Sequence, residues 1–265
     1  MNKSATTNFV KYQGTGNDFI IIDGRGEILE LPVKLMCDRH FGIGADGLII
    51  LAKSETSDFE MIYYNSDGNL SSMCGNGGRC IAHFAANYIF PDKSEFTFGA
   101  PDGLHTATVT RDHVSISMND VSKENIEDNG NTIIMNTGSP HYVSFDDIVD
   151  LQFTDWAKNI RFSDRFNKEG ININNVKVNS ENELSMRTYE RGVEDETLSC
   201  GTGVTAAALS QALRRNLSSG SITVNTKGGQ LDVTFKSIND TFKNIVLTGE
   251  VKIVFEGSWN LNDNK

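Results

Sequence analysis

Cys74-Gly75-Asn76-Gly77 recurs in the second half of this chain as Cys200-Gly201-Thr202-Gly203. After each copy, apolar residues return at helical spacing, which predicts that each cysteine stands at the amino end of a buried helix. A tight turn before a helix would explain the glycines, but a turn does not need cysteine twice. The two motifs therefore indicate a chain built from two related halves.

Three other pairs of segments occur in the same order in both halves. They are 15–19 with 137–142, 61–65 with 186–190, and 103–104 with 229–231. Apolar, β-branched runs predict strands at 18–23, 48–51, 59–64, 95–98, 104–110, 114–118, 132–135, 141–145, 176–178, 184–189, 221–225, 231–235, 244–248 and 251–255. The polar, acidic run 119–131 is predicted to be the linker. The pattern favours an α+β fold of two units.

Size and composition limit the classes of protein to consider. The chain has 265 residues, 38% of them hydrophobic, and a net charge of −11. Two domains can each bury a core at this length. A negative field repels phosphate backbones, so nucleic acid is not an expected partner. No apolar run approaches the roughly 20 residues of a membrane helix, and no secretory signal opens the chain. We expect a cytoplasmic protein that binds no membrane.

The four cysteines are not expected to form disulfides in that compartment. Cys37 and Cys80 are interpreted as small buried apolar side chains, because Cys80 has no counterpart in the second half and Cys37 has no glycine partners. A zinc site of Cys74, Cys80, His83 and Cys200 is the weaker alternative, since the spacing of Cys74 and Cys80 fits no common zinc pattern. We therefore expect no metal.

A cysteine at a helix amino terminus is chemically distinctive. Unpaired N–H groups and the positive end of the helix dipole stabilise anions there. The thiol pKa in such positions falls from about 8.5 to roughly 3.5–7.5, and the same amides can hold a substrate carboxylate. If two such helix ends grip one amino-acid carboxylate, its α-carbon lies between two sulfurs. One sulfur can then remove a proton while the other returns one to the opposite face.

The sequence resembles the diaminopimelate epimerase family along nearly its whole length. The motifs that carry the resemblance are Gly14-Thr15-Gly16-Asn17-Asp18-Phe19, Asp38-Arg39-His40, Gly42-Ile43-Gly44, Tyr64-Asn65-Ser66-Asp67-Gly68, Met73-Cys74-Gly75-Asn76-Gly77-Gly78-Arg79-Cys80, Pro140-His141, Tyr189-Glu190-Arg191-Gly192, Glu196-Thr197 and Cys200-Gly201-Thr202-Gly203.

The resemblance implies two pseudo-symmetric α+β domains, each a curved mixed or antiparallel sheet wrapped around a central helix. The first would comprise 1–120 with 251–265 and carry Cys74, because the carboxy-terminal strand returns to it; the second would comprise 121–250 and carry Cys200. The implied reaction converts LL- to meso-diaminopimelate, for lysine and peptidoglycan, without cofactor. A homodimer is compatible with the resemblance, whereas the sequence alone does not give the oligomeric state.

The resemblance also assigns roles to individual residues. Cys74 and Cys200 correspond to the acid/base pair, with His141 and Glu190 as catalytic groups that poise the thiols. The implied substrate contacts are Asn17, Asn65, Gly75, Asn76, Asn172, Glu190, Arg191, Gly201 and Thr202. Taken singly, Asn65 could be a turn residue, Glu190 and Arg191 a solvated pair, and His141 a satisfied buried histidine.

Two positions depart from the family pattern. Many members have Asn-Pro-His where this chain has Ser139-Pro140-His141, and some have Gln where Gly47 stands. Proline and hydroxyproline racemases, which also use two cysteines, and phenazine-type isomerases, which do not, are alternatives within the same fold. A redox or zinc-binding protein is an alternative from another class. Arg191 favours a substrate with a second carboxylate, which a guanidinium binds through two hydrogen bonds.

Overall fold

The chain divides into two compact units in a computed structural model that describes residues 6–26 and 30–261. Unit 1 contains the residues up to Ile116 and those from Glu250 onward, and unit 2 contains Ser117–Gly249. The resemblance predicts the divisions at 120/121 and 250/251, a few residues further along the chain. No helix in the described part of the chain has the length and apolar character of a membrane span.

Strands make up most of both units. In chain order they are β1 Thr6–Gly14, β2 Asn17–Asp23, β3 Gly47–Ala52, β4 Phe59–Asn65, β5 Glu95–Ala100, β6 Gly103–Thr110, β7 His113–Ser117, β8 Val121–Ser122, β9 Glu127–Asp128, β10 Thr132–Asn136, β11 Pro140–Ser144, β12 Asn172–Ser180, β13 Glu183–Glu190, β14 Asp195–Thr197, β15 Ser219–Thr226, β16 Gly229–Ile238, β17 Thr241–Glu250 and β18 Lys252–Asn260. The four α-helices within 6–26 and 30–261 are α1 Val33–Cys37, α2 Gly75–Phe84, α3 Phe153–Arg161 and α4 Gly201–Arg214.

The two units repeat one pattern of strand pairing. In unit 1 the order is β18-β1-β2-β3-β4-β5-β6-β7, with β2/β3 and β4/β5 parallel and the other pairs antiparallel. In unit 2 the order is β9-β10-β11-β12-β13-β15-β16-β17-β8, with β11/β12 and β13/β15 parallel. The seven strands from β1 to β7 and the seven from β10 to β17, without the hairpin strand β14, therefore alternate in the same way. The predicted α+β fold is confirmed.

Each sheet surrounds one buried helix. Helix α2 contacts β1, β2, β3 and β6, and all of its residues are buried; it continues into a π-helical turn at Ala85–Ile89. Helix α4 contacts β10–β13, β15 and β16. Glycines allow the close approach, since a Cβ at Gly77 would lie 2.9 Å from Ile49 Cδ1, and one at Gly203 would lie 2.6 Å from Asn174 Oδ1. The motif glycines thus serve helix packing rather than a tight turn.

Buried polar residues explain where the strand predictions fell short. β12 begins at Asn172 rather than at 176, because Asn172 and Asn174 face the interior and hide the apolar alternation. β1 was not predicted, since it contains Lys11, which is buried and paired with Asp18 at 2.8 Å. The run 119–131, predicted to be a linker, contains the short strands β8 and β9.

Candidate active site

A tight hairpin turn brings β1 and β2 to the amino end of α2. Gly14 pairs with Asn17 across the turn, and the two residues between them, Thr15 and Gly16, have φ of 50° and 85°. Positive φ at both positions is the geometry of a type I′ hairpin, which suits the twist of antiparallel strands. The turn therefore fixes the position of Asn17, the first residue of β2.

Cys74 is the N-cap of α2, as the sequence predicts. Its backbone is extended (φ −116°, ψ 116°), and the N–H of Gly77 points at its Sγ over 3.5 Å. The first intrahelical hydrogen bond runs from Gly78 N–H to the Cys74 carbonyl, so the amides of Gly75 and Asn76 belong to the first turn and its positive dipole end. The side chain of Cys74 is half-buried. This is the environment expected to favour a thiolate.

A second contact of Cys74 suits the protonated sulfur. The thiol donates to Asn17 Oδ1 at 3.5 Å, and Asn76 Nδ2 donates to the same oxygen at 3.4 Å. Asn17 is oriented by its amide nitrogen, which donates to Asp46 Oδ2 at 2.6 Å, and Asp46 is in turn held by Arg39. Together the Gly77 amide and the Asn17 oxygen provide a partner for either protonation state.

Asn65 ends β4 opposite Gly47 of β3. Its side-chain amide makes no hydrogen bond within 6–26 and 30–261, and the residue is half-buried, so the amide is available to a ligand. The departure at Gly47 has a steric reason, since a Cβ there would lie 2.5 Å from the ring of Tyr63 and from the Tyr64 carbonyl. In this chain a larger side chain at position 47 would displace Tyr63.

Cys200 is the N-cap of α4, but its contacts differ from those of Cys74. Only 8% of it is exposed. Its Sγ lies 3.4 Å from Thr202 Oγ1, and Thr202 Oγ1 lies 2.9 Å from His141 Nε2. Asn174 Nδ2 lies 3.1 Å from His141 Nδ1, and Asn174 Oδ1 accepts from Thr188 at 3.0 Å. A chain of hydrogen bonds thus runs from the sulfur into the core of unit 2.

His141 is held neutral in this chain. Burial, and secondarily the charge of Arg191, lowers the pKa of His141 to about 3. Because Nδ1 accepts from the Asn174 amide, Nε2 carries the proton and donates to Thr202 Oγ1. The Thr202 hydroxyl is then free to donate its own proton to Cys200 Sγ. The relay therefore supplies a donor to the thiolate of Cys200 without placing a second charge beside it.

Arg191 follows β13 and is held by a small polar group around Ser139. Asn172 Nδ2 donates to Ser139 Oγ at 2.9 Å, while Asn172 Oδ1 accepts from the Arg191 N–H at 2.9 Å. The guanidinium donates to Glu169 O at 3.0 Å and to Ser139 Oγ at 3.5 Å. Both ends of the Asn172 amide are engaged within the protein, so Asn172 positions Arg191; direct contact of Asn172 with a ligand stays a prediction.

The remaining predicted residues lie at the amino end of α4 and at the end of β13. Gly201 and Thr202 form the first turn of α4, whose first internal hydrogen bond runs from Val204 N–H to the Cys200 carbonyl at 2.8 Å. Glu190 is the last residue of β13, and its carbonyl accepts from the Glu194 N–H at 2.8 Å. Its catalytic role stays a prediction.

The other two cysteines are buried. Cys37 ends α1 and Cys80 lies within α2, and burial raises the pKa of each thiol well above its ordinary value. His83 lies 3.0 Å from the Tyr12 hydroxyl. Nowhere in residues 6–26 and 30–261 do three His, Cys, Asp or Glu side chains gather as metal ligands would. The zinc interpretation gains no support.

Sequence reasoning missed four residues that organise these sites. They are Asp46, which orients Asn17; Ser139, whose Oγ accepts from Asn172 and Arg191; Asn174, which sets the His141 tautomer; and Arg79, which lies within α2 and is fully buried. In the sequence, Ser139 stands out only as a departure from the family pattern. The signal for Asn174 is a polar residue at an inward-facing position of a strand.

Known proteins resemble this chain over nearly its whole length. The family model described as diaminopimelate epimerase matches residues 9–124 and 133–254, one segment in each half. The chain is 50% identical over 254 residues to a diaminopimelate epimerase from Flavobacterium psychrophilum, covering 93% of this chain and 97% of that protein. It is 38% identical over 255 residues to the one from Chlorobaculum tepidum, covering 92% and 98%.

Solved structures with low identity share the fold. A hydroxyproline epimerase from Agrobacterium vitis superposes with a TM-score of 0.73 at 13% identity, covering 100% of this chain and 95% of that one. A phenazine biosynthesis protein of the PhzF family from Bacillus anthracis gives 0.70 at 13% identity, covering 96% and 99%. With the family model spanning both halves and half of all positions shared with the first relative, the chain belongs to the diaminopimelate epimerase family.

Proposed function

We propose that this chain is an isomerase that epimerises LL-diaminopimelate to meso-diaminopimelate, with Cys74 and Cys200 as the two bases and no cofactor. The single observation that carries the proposal is that both cysteines are N-caps of buried helices in units with the same strand pairing. Each helix end offers first-turn amides and each sulfur has a hydrogen-bond partner. Family membership supplies the substrate. The product serves lysine synthesis and peptidoglycan.

The proposed chemistry begins with the substrate carboxylate bound by the first-turn amides of Gly75, Asn76, Gly201 and Thr202. One sulfur, as thiolate, takes the α-hydrogen as a proton, and the electron pair moves into the carboxylate, where the amides stabilise it. The other sulfur, as thiol, gives its proton to the opposite face of the α-carbon. The reverse reaction exchanges the two roles.

Substrate selection is assigned to the polar groups of each unit. Asn17, whose side chain is oriented by Asp46, is proposed to contact an amino group of the substrate, and Asn65 offers a side-chain amide that makes no hydrogen bond in the described residues. Arg191 is proposed to bind the distal carboxylate, supported by its positioning through Asn172 and Ser139. Glu190, together with the neutral His141, is proposed to control the protonation of the two thiols. A substrate with a second carboxylate, rather than proline, is the expected match for Arg191.

The test is conversion of purified stereoisomers. Incubation with LL-diaminopimelate should yield meso-diaminopimelate, whereas L-proline should remain unchanged. Cys74→Ser and Cys200→Ser should each abolish conversion, because a hydroxyl is too weak a base. Racemisation of proline, or retained conversion in either variant, would contradict the proposal. Bound zinc that is lost together with activity on chelation would favour the metal-binding alternative.

Two finer expectations accompany the function. We expect a cytoplasmic location, because the sequence analysis finds no secretory signal; fractionation of cells would check this. A homodimer is also proposed, supported by the apolar side chains Ile253, Val254 and Phe255 exposed on β18. Sedimentation of a protein changed to Val254→Glu should give a smaller species than the wild type if this surface is used.

A further inference from the structure

Arg79 is a charge buried without a counter-ion. Its side chain has no solvent exposure, and no carboxylate pairs with it in the described part of the chain. Nη2 donates to Thr15 Oγ1 at 3.2 Å and Nη1 to Gly75 O at 3.4 Å, while Nε has no acceptor among residues 6–26 and 30–261. Burying a guanidinium without an opposite charge is costly. A role beyond packing would account for its presence.

The ionisable groups that interact with this guanidinium are two thiols. Burial lowers the pKa of Arg79 to about 10, and Cys80 and Cys74 oppose that shift. Cys80 is fully buried, and its own pKa is raised by burial, so it remains a thiol. Cys74 is half-buried at the helix terminus and receives the Gly77 amide. Of the two, Cys74 is the sulfur that can carry the negative charge.

The second half has no such cation at the matching position. Thr205 stands five residues after Cys200, as Arg79 does after Cys74, and its hydroxyl donates to the Gly201 carbonyl at 3.0 Å. Cys200 instead receives the Thr202 hydroxyl at the end of a neutral relay. The two sulfurs therefore differ in their surroundings: a buried positive charge interacts with Cys74, whereas a hydroxyl contacts Cys200.

We propose that Arg79 is a positioning residue whose buried positive charge stabilises the thiolate of Cys74. The guanidinium also ties the β1–β2 turn at Thr15 to the first turn of α2 at Gly75, which keeps the charge close to the sulfur. The inference rests on the proposed function for the statement that Cys74 acts as a base. A stabilised thiolate lets Cys74 take the role of the base in one of the two directions of the reaction.

Other ionisable groups around α2 do not replace this charge. Asp46 is linked to Cys74 through the side chain of Asn17, and its negative charge disfavours the thiolate. The remaining groups on α2 and on the strands it contacts are paired with one another or held neutral: Lys11 with Asp18, His105 with Asp102, and His83 with its pKa lowered by burial. The titration of Cys74 should therefore respond to removal of the Arg79 charge.

The test measures the pH dependence of alkylation at each cysteine. Wild type and variants are treated briefly with iodoacetamide between pH 5 and 10, and the modified Cys74 and Cys200 peptides are quantified by mass spectrometry. In Arg79→Met the midpoint for Cys74 should rise by about 1 unit or more, the lower end of the effect of a nearby opposite charge. Its alkylation below the midpoint should fall about 10-fold, while Cys200 should be unchanged.

Three further variants separate charge from structure. Arg79→Lys should keep the Cys74 midpoint within about 0.5 unit of wild type, because the charge is retained. Arg79→Gln, which can still bond to Thr15, should behave as Arg79→Met and provides the neutral variant if methionine prevents folding. Arg161→Met removes another buried arginine, one paired with Glu194 at 2.7 Å, and should leave the Cys74 midpoint unchanged.

An unchanged Cys74 midpoint in a folded neutral variant would overturn the inference, as would an equal shift in Arg161→Met. The measurement needs no substrate. It can therefore fail while diaminopimelate is epimerised, or succeed while diaminopimelate is not the substrate, so the two proposals stand or fall separately.

Discussion

Replacing Thr202 by valine tests the relay behind Cys200 with little change of shape. The substitution removes the hydroxyl that accepts from His141 Nε2–H at 2.9 Å and faces Cys200 Sγ at 3.4 Å. The imidazole N–H then has no acceptor in a fully buried site, which costs about 1–3 kcal/mol of folding free energy. Thr202→Ser keeps the hydroxyl and is the matched control.

The effect on catalysis follows from the lost donor. A hydrogen bond to a charged group is worth about 1.5–3 kcal/mol, which corresponds to a fall of about 10- to 150-fold in kcat/KM. Thr202→Ser should stay within about 3-fold of wild type. Because the equilibrium constant is fixed by the substrates, Thr202→Val should lower kcat/KM by the same factor in both directions.

The assay combines conversion of each stereoisomer with urea unfolding. Chromatographic separation of LL- and meso-diaminopimelate gives kcat/KM in each direction, and the unfolding midpoint gives the stability change. If Thr202→Val folds and keeps wild-type kcat/KM, the hydroxyl is not the donor to Cys200, and the relay deduced from the His141 tautomer is wrong.

Two further predictions concern Arg191 and His141. Gly170→Ala should raise the KM for diaminopimelate more than it lowers kcat, because the added Cβ would lie 2.4 Å from Arg191 Cδ. Gly130→Ala, at a similar positive φ but with nothing within 4 Å of the added Cβ, should lose only stability. An equal change of KM in the two variants, measured by steady-state kinetics, would refute this prediction. The pKa of His141 is lowered from 6.5 to about 3, so the folded state binds fewer protons than the unfolded state in that window, and stability should fall as pH decreases through it. Relative to His141→Gln, the wild type should lose about 1.4 kcal/mol of unfolding free energy per pH unit below 6.5. If urea unfolding shows the same pH dependence for both proteins from pH 6.5 to 4, the lowered pKa assigned to His141 is wrong.

The sequence alone revealed the elements that follow local rules. Helices α2 and α4 were predicted because their apolar spacing is regular, and the cysteines were placed at their starts because the glycine motif occurs twice. Most strands were predicted from their runs of apolar, β-branched residues. What the sequence could not reveal was pairing between distant strands, such as the parallel neighbours β11 and β12.

The organisation of the site depends on that long-range pairing. Asn174 reaches His141 only because β12 lies beside β11, and nothing within either segment indicates this contact. Arg79 looks like a surface residue of a helix until α2 is seen to be buried on every side. The resemblance predicts which residues touch substrate, whereas the groups that hold them are visible only in the structure.

Transfer of hydrogen to and from solvent tests the central claim most directly. LL-diaminopimelate is incubated in deuterated water, and substrate and product are separated at early times and analysed by mass spectrometry. Two sulfurs acting on opposite faces predict that newly formed meso-diaminopimelate carries one deuterium at the inverted carbon while recovered LL-diaminopimelate carries almost none. Product that retains the original hydrogen would show a single base acting on both faces, and would contradict the two-cysteine account.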